Sequence, residues 1–163
     1  DLIYPALTDV TAEALRSRGI TFLMMDFDNT IVPYTTDVPT EKMRAWIEAM
    51  KASGIGLCVV SNSKRPRVVT FCKAYGLDCI THAKKPFSRG IRACLTRYAL
   101  DPAACALVGD QIFTDRLAAG LYGISCLYTM PRGGDHQRGV QFKRRFEPYW
   151  LDRYYQKGGR LYE

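Results

Sequence analysis

The sequence lacks any apolar run that approaches the roughly 18 consecutive residues a membrane-spanning helix requires. Its longest apolar stretches have the length of strands. No signal-peptide pattern opens the chain, although it begins at Asp1 rather than Met, so removal of a leader by processing stays open. Internal repeats and low-complexity linkers are also missing. These absences favour a cytoplasmic protein in which residues 1–163 form a single domain.

The cysteines contain no C-x-x-C pair of the kind that zinc ribbons and redox sites use. Four of the six fall in predicted strands, where cysteine acts as a small buried apolar side chain. We therefore expect a reducing compartment, with neither a disulfide framework nor a zinc site, for Cys58, Cys72, Cys79, Cys94, Cys105 and Cys126.

One apolar run ends abruptly in polar residues. Residues 22–25 predict a strand buried on both faces, because no polar side alternates with the apolar one. Asp26-Phe27-Asp28-Asn29-Thr30 follows it directly. Residues two apart on an extended chain point to the same side, so the two carboxylates would share a small space. A proton or a divalent cation would relieve their repulsion. A solvated turn or a helix cap is the structural alternative.

The rest of the chain alternates predicted strands with predicted helices. The strands are expected at 22–25, 55–60, 79–81, 105–108 and 124–128, and the helices at about 8–18, 40–52, 65–75, 87–98 and 114–121. This order predicts an α/β fold with about five parallel strands and helices on both faces. Polar residues follow the strands and would meet at one edge of the sheet, namely Asp26, Asp28, Thr30, Ser61, Asn62, Lys85, Asp110 and Asp115.

This set of residues suits the hydrolysis of phosphate esters. Asp26 is placed to attack phosphorus as a nucleophile, and Asp28 to act as general acid and base. Mg²⁺ bound by acidic residues, together with a lysine and hydroxyl or amide donors, would neutralise the phosphate charge. We expect Lys85 to supply the point charge. Candidates for phosphate binding are Thr30, Ser61 and Asn62, and candidates for metal binding are Asp26, Asp28, Asp110 and Asp115.

These four motifs in order resemble the haloacid dehalogenase (HAD) superfamily of phosphohydrolases over nearly the whole chain. Its D-x-D-x-T motif matches residues 26–30, its strand-end Ser or Thr matches Ser61, its lysine matches Lys85, and its acidic motif matches residues 109–115. The resemblance implies a Rossmann-like HAD fold, an aspartyl-phosphate on Asp26, and Asp110 as a direct metal ligand. It further implies that the Asp28 carbonyl binds the metal. Asp115 would lie behind the direct metal ligands or contact the metal through a water molecule.

More narrowly, the motifs resemble the YqeG-type group of HAD subclass IIIA, whose relatives include mitochondrial phosphatases acting on phosphatidylglycerophosphate. Lys84 and Lys85 both suit the lysine motif, and Lys85 is preferred because it precedes a proline, as the group's lysine does. The segment after Asp115 lacks the Asn-Arg pair that is usual in the group. This departure puts in question how that side of the site contacts the substrate. The short spacings from Thr30 to Ser61 and on to Lys85 leave no room for a cap domain. An open site suits a phosphorylated lipid headgroup or a macromolecule.

The net charge of +7 favours acidic partners, although solubility alone would also account for it. In residues 137–163, basic residues are interleaved with aromatic ones, and Pro148 is expected to break any helix there. The segment is predicted either to pack across the core with its basic side in water or to contact an anionic membrane or a partner. Peripheral contact with the inner face of a membrane is therefore one expectation.

Two other functions stay open on the residues alone. A receiver-type signalling domain also gathers acids and a lysine, but it carries a lone phosphoacceptor on a middle strand. A basic module that binds RNA or a membrane, with vestigial catalysis, is the second alternative, although no strong nucleic-acid signal is present. His82 would either touch a leaving group or bond to backbone, and His136 lies in a predicted loop that could face the substrate.

Overall fold

The computed structural model describes residues 1–87, 89–134, 138–159 and 161–162, with the backbone alone at residue 138. Six parallel strands form one sheet in the order β1-β6-β5-β2-β3-β4. They are β1 (Leu2–Tyr4), β2 (Phe22–Met25), β3 (Gly56–Val60), β4 (Asp78–Ile80), β5 (Cys105–Gly109) and β6 (Ser125–Thr129). The predicted α/β fold is confirmed. The unpredicted strand is β1, whose three residues are too few for a periodic signal and which pairs with distant β6.

Seven α-helices accompany the sheet within the described residues. They are α1 (Ala12–Arg16), α2 (Glu41–Ala52), α3 (Pro66–Ala74), α4 (Arg89–Arg97), α5 (Leu117–Tyr122), α6 (Arg138–Arg144) and α7 (Glu147–Gln156). The prediction for the first helix was wrong in detail. A 3-10 turn occupies Leu7–Asp9, and Thr11, rather than Thr8 or Asp9, caps α1 by accepting a hydrogen bond from the Ala14 N–H at 3.1 Å.

Both faces of the sheet are covered, as a parallel sheet requires. Alternate residues of β2 point to opposite faces: Leu23 and Met25 pack with the buried side chains of α1, α2 and α3, whereas Phe22 and Met24 pack with those of α4 and α5. Residues 26–77 hold only loops, α2, β3 and α3 around the motif positions, and no further domain is inserted there. The carboxyl edge of the sheet is thereby left open.

The C-terminal segment forms two helices. The helical segment is interrupted before Pro148, as predicted: α6 ends at Arg144, and Pro148 lies in the first turn of a new helix, α7, where an N–H has no intrahelical partner to lose. Leu151 and Tyr154 pack near Ile3, Ile112 and Tyr128, so part of the segment covers the core. Other aromatic side chains of the segment stay exposed, among them Phe142, Phe146, Tyr149 and Trp150.

All six thiols are free, and five of the six cysteines are buried like small apolar side chains. Among the described helices, none has both the length and the apolar character needed to cross a membrane.

Candidate active site

The predicted polar residues meet at the carboxyl edge of the sheet. Asp26 follows the central strand β2, and its N–H donates to the Val108 carbonyl at 2.9 Å. Ser61 follows β3 and continues the ladder toward β4 by donating to the Ile80 carbonyl at 3.0 Å. These main-chain bonds extend the sheet one residue beyond the strands and fix the side chains at its edge.

Lys85 is the buried cation of the site. Its Nζ lies 2.7 Å from Asp26 Oδ1 and 2.6 Å from Asp115 Oδ1, and its side chain is only 1% exposed. Burial opposes the charge, but the two carboxylates outweigh burial and raise the pKa of Lys85 above its usual value. Lys84 is exposed. The structure therefore brings Lys85, rather than Lys84, to the carboxylates.

Asn62 holds the main chain of Lys85. Its Nδ2 donates to the Lys85 carbonyl at 3.0 Å, and its Oδ1 accepts from the Lys85 N–H at 2.7 Å. Both polar ends of the amide are thus engaged by one residue. This geometry gives Asn62 a positioning contact in addition to the predicted role in binding substrate.

Three carboxylates gather beside Lys85. Single oxygens of Asp26, Asp110 and Asp115 lie within 4.8 Å of one another, and all three residues are buried. Burial raises the pKa of Asp26 to about 7, with Lys85 opposing the shift, and raises the pKa of Asp110 well above its usual range. A buried cluster of hard oxygen donors fits a divalent cation such as Mg²⁺.

Asp28 faces a different cation. Its Oδ1 lies 3.3 Å from a terminal nitrogen of Arg67, without hydrogen-bond geometry, and its side chain is outside the compact carboxylate cluster. Burial raises the pKa of Asp28, and Arg67 opposes the rise. A carboxyl with a raised pKa can hold a proton for a leaving group. Metal binding by Asp28 or its carbonyl stays a prediction.

Arg67 organises the loop above the site, and the sequence analysis missed it. Its guanidinium donates to three carbonyls, contacts Asp37 Oδ1 at 2.6 Å and lies over the Phe27 ring at 5.1 Å from the centroid. The carbonyls belong to Pro33, Tyr34 and Thr36. An arginine in an amphipathic helix carries no sequence signal for this role, because the loop it binds is about thirty residues away.

The remaining hydroxyls lie at the same edge. Thr30 Oγ1 is 3.5 Å from Asp110 Oδ1, at the long limit of a hydrogen bond, and is buried. Ser61 Oγ accepts from the Ser63 N–H at 3.0 Å, which leaves its own proton available to a phosphate oxygen. Direct contact of Thr30, Ser61 and Asn62 with substrate stays a prediction.

Gly109 makes the approach of Asp115 possible. A Cβ at this position would lie 2.3 Å from Asp115 Cγ and 2.4 Å from its Oδ2. A π-helical turn over Ile112–Arg116 then carries Asp115 back toward the strand end, where the Gln111 N–H donates to its Oδ2 at 3.2 Å. The acidic motif thus depends on a glycine as much as on its acids.

Arg144 and Glu147 reach the site from the C-terminal segment, and both were missed as site residues. The Arg144 guanidinium contacts Asp110 Oδ2 and the Asp110 carbonyl, and also contacts Glu147 Oε2 at 2.9 Å. Glu147 is buried and accepts from the Ile112 N–H at 3.0 Å. A run of basic residues gave no reason to single out Arg144.

An open cleft of about 390 Å³ leads to the carboxylates. Its floor includes Asp26, Asp28 and Lys85, and its walls carry the exposed cations Lys64, Arg65 and Lys143 together with Tyr34, Ser61, Asn62, Ser63, Gln111, Thr114 and Val140. A positively charged wall around an acidic floor suits an anionic substrate. His82 is exposed and its ring contacts Thr81 Oγ1 at 3.2 Å, whereas His136 lies outside the described residues.

The family model for haloacid dehalogenase-like hydrolases matches residues 2–123. The Bacillus subtilis (strain 168) protein named "Probable phosphatase YqeG" is 29% identical over 149 residues, which is 91% of this chain and 87% of that one. The chloroplastic phosphatidylglycerophosphate phosphatase 1 of Chlamydomonas reinhardtii is 24% identical, and the alignment covers 94% of this chain but 61% of the relative's length.

A solved structure shares the fold. An uncharacterized protein from Listeria monocytogenes serotype 4b superposes with a TM-score of 0.58 at 17% identity, covering 73% of this chain and 84% of that one. This likeness concerns the arrangement of the sheet and its helices.

Proposed function

The chain belongs to the haloacid dehalogenase-like hydrolases, and we propose that it hydrolyses phosphate monoesters with Mg²⁺ through an aspartyl-phosphate on Asp26. Membership in this superfamily and the similarity to a YqeG protein confirm the enzyme class predicted from the four motifs. The family match also argues against the receiver-type alternative. The mechanism and the substrate below are proposals.

The position of Lys85 carries the proposal. Its ammonium lies between Asp26 and Asp115, at the floor of a cleft that is open to solvent. A buried cation beside a carboxylate nucleophile offsets the repulsion between that carboxylate and an anionic phosphate. The contact to Asp26 Oδ1 leaves Oδ2 as the oxygen that attacks.

In the first step, Asp26 Oδ2 forms a bond to phosphorus while the ester P–O bond breaks. Asp28, whose raised pKa favours a retained proton, gives that proton to the departing alkoxide. In the second step, Asp28 takes a proton from water, the water oxygen bonds to phosphorus, and the bond between phosphorus and Asp26 breaks. Inorganic phosphate leaves and both carboxyls return to their first state.

Asp26, Asp110 and Asp115 would hold the cation, directly or through water. Bound Mg²⁺ supplies positive charge that stabilises the phosphoryl oxygens. The residues of the chain do the rest: Asn62 fixes Lys85, Arg67 holds the loop beside Asp28, and Ser61 donates to a phosphate oxygen.

We propose phosphatidylglycerophosphate as the best single substrate. The name of the Chlamydomonas reinhardtii relative supports a phosphorylated lipid headgroup. The cleft also supports it, because its wall is basic and no inserted domain closes it among residues 26–77. The bulk of a lipid could therefore stay outside while its terminal phosphate reaches Asp26.

Phosphate release from a panel of esters tests the function. The panel contains p-nitrophenyl phosphate, sugar phosphates, nucleotides and phosphatidylglycerophosphate in mixed micelles, each with Mg²⁺ and with EDTA. We expect Mg²⁺-dependent release that is fastest for the lipid. Release that is equal in EDTA would contradict the metal requirement, and a faster soluble ester would contradict the lipid as substrate.

A peripheral membrane contact is a second candidate function of the C-terminal segment. Phe142, Phe146, Tyr149 and Trp150 are between 41% and 64% exposed. Exposed cations accompany them at Lys143, Arg145, Arg153 and Lys157. Exposed aromatic rings beside cations suit the interface of an anionic bilayer.

Sedimentation with vesicles tests this contact. We expect binding to vesicles containing phosphatidylglycerol, weaker binding at high salt, and loss of binding when Tyr149 and Trp150 are both changed to alanine. Phe87→Ala is the matched control, because Phe87 is an aromatic residue that is 82% exposed outside the segment. Equal binding to neutral vesicles, or preferential binding to RNA, would contradict the proposal.

A further inference from the structure

We propose that Arg144 is a positioning residue for the metal ligand Asp110, so that the C-terminal helices complete the active site. This inference rests on the proposed metal-dependent function. The family match ends at residue 123, so Arg144 lies beyond the part of the chain that the family description covers.

The contacts of Arg144 form a clamp on one residue. One terminal nitrogen reaches the carbonyl of Asp110 and the other reaches its Oδ2. A guanidinium is planar and presents its donors in a fixed fork, so two contacts to one residue define the orientation of that residue. The Asp110 side chain is fully buried, and Thr30 Oγ1 contacts its other oxygen, Oδ1, only at the long distance of 3.5 Å.

Glu147 in turn fixes Arg144. Its Oε2 lies 2.9 Å from the guanidinium and 3.4 Å from the Tyr128 hydroxyl, while Oε1 accepts from the Ile112 N–H at 3.0 Å. Tyr128 belongs to β6, and Ile112 begins the π-helical turn that carries Asp115. The start of α7 is therefore bonded to the same turn that supplies a second carboxylate of the site.

The charges of the site show why this clamp is useful. The Arg144 guanidinium forms an ion pair with the fully buried Asp110 carboxylate. By contacting both the carbonyl and Oδ2 of Asp110, Arg144 fixes the position of a carboxylate that a cation needs as a ligand. It also adds a positive charge near the cation, which by Coulomb's law weakens cation binding. Positioning and repulsion act on metal affinity in opposite directions.

Mg²⁺ affinity therefore tests the role of Arg144, and calorimetric titration of the whole protein with Mg²⁺ measures it without turnover. If positioning dominates, Arg144→Ala weakens Mg²⁺ binding roughly 10-fold or more, as the loss of a partner behind a metal ligand does. Arg144→Lys keeps the charge but loses the fork, and should also weaken binding. Arg145→Ala removes one charge from the neighbouring exposed position and should leave affinity within about twofold.

Two further measurements separate positioning from general damage to the fold. Added guanidinium should restore part of the Mg²⁺ affinity to Arg144→Ala, and not to Arg145→Ala. Thermal unfolding of Arg144→Lys in EDTA should follow a two-state transition whose midpoint temperature is close to that of the wild type. Arg144→Ala leaves buried Glu147 without its cation. Mg²⁺ affinity is therefore measured again in the double variant Arg144→Ala with Glu147→Gln, which lacks that unpaired charge.

The outcomes are distinct. Unchanged Mg²⁺ affinity in folded Arg144→Ala and Arg144→Lys would overturn the proposal. Tighter binding in Arg144→Ala would overturn it in favour of Arg144 as a competitor of the cation. If the wild-type protein itself bound no Mg²⁺, the proposed function would fail first, and the role of Arg144 with it.

Discussion

The side-chain amide of Asn62 is hydrogen bonded to both main-chain polar groups of Lys85, at 3.0 Å to the carbonyl and 2.7 Å from the N–H. Lys85 in turn bridges Asp26 and Asp115. The residue after β3 therefore fixes a cation that follows β4 and contacts the proposed nucleophile, which follows β2. The contact between Asn62 and Lys85 thus links the ends of three strands at one cluster of charges.

Asn62→Ala should lower kcat roughly 10- to 100-fold with little change in KM, because Lys85 loses its main-chain anchor. The free energy of unfolding should fall by about 1–3 kcal/mol, since both groups of Lys85 lose a partner. Steady-state kinetics and urea denaturation measure these effects. His82→Ala, at an exposed nearby position, is the control. A raised KM at unchanged kcat would instead assign Asn62 to substrate binding.

Asp26→Asn should lower kcat by at least ~10³-fold, because the isosteric amide is not a nucleophile. The fold should be retained, since Asn fills the same volume and Lys85 keeps its contact with Asp115. Asp37→Asn makes the same chemical change at an exposed carboxylate and should retain most activity. Full turnover by pure Asp26→Asn protein would contradict the aspartyl-phosphate mechanism.

The pH dependence of stability should report on Asp26. Its pKa is raised from 3.8 to about 7, so between these values the folded state binds more protons than the unfolded state. The contribution of Asp26 to stability therefore falls as pH rises through this window. In EDTA, Asp26→Asn should gain about 2 kcal/mol relative to wild type between pH 5 and pH 7. Urea denaturation at both pH values measures the gain, and a constant difference would show that the pKa is not raised.

Gly109→Ala should destabilise the protein by about 1–3 kcal/mol, because the new methyl group overlaps the Asp115 carboxyl. It should also reduce turnover, since Asp115 is displaced from Lys85. Gly120→Ala is the matched control: it lies in α5, where an added Cβ meets nothing within 4 Å. That change should be neutral or stabilising by about 0.5–1 kcal/mol. Similar losses from both variants would contradict the steric argument.

Arg67→Ala should cost about 2–3 kcal/mol of stability, because half-buried Asp28 and three loop carbonyls lose their partner. The pKa of Asp28 should rise, since Arg67 lowers it. Arg44→Ala removes a surface arginine that lies 3.9 Å from exposed Glu41 and should cost less than about 1 kcal/mol. Denaturation curves compare the two, and equal costs would contradict the structural role of Arg67.

Short-range patterns in the sequence determined much of this protein. The apolar residues of β2 predicted a strand buried on both faces, and Thr40 with a periodic run predicted α2, whose first turn is capped by that threonine. Strand-helix alternation then implied a parallel sheet with one polar edge. For this reason Asp26, Asp110 and Asp115 could be placed together before any distance was known.

Long-range contacts were decided by the tertiary structure alone. Pairing of β1 with β6, capture of the 33–36 loop by Arg67 and contact of Arg144 with Asp110 join residues that are far apart in the chain. The periodicity of apolar residues and the preferences for helix caps concern residues that are close in sequence. These contacts depend instead on how the packed helices and strands bring their ends together. Sequence therefore determined which side chains stand at the edge of the sheet, and packing determined which cation each acid meets.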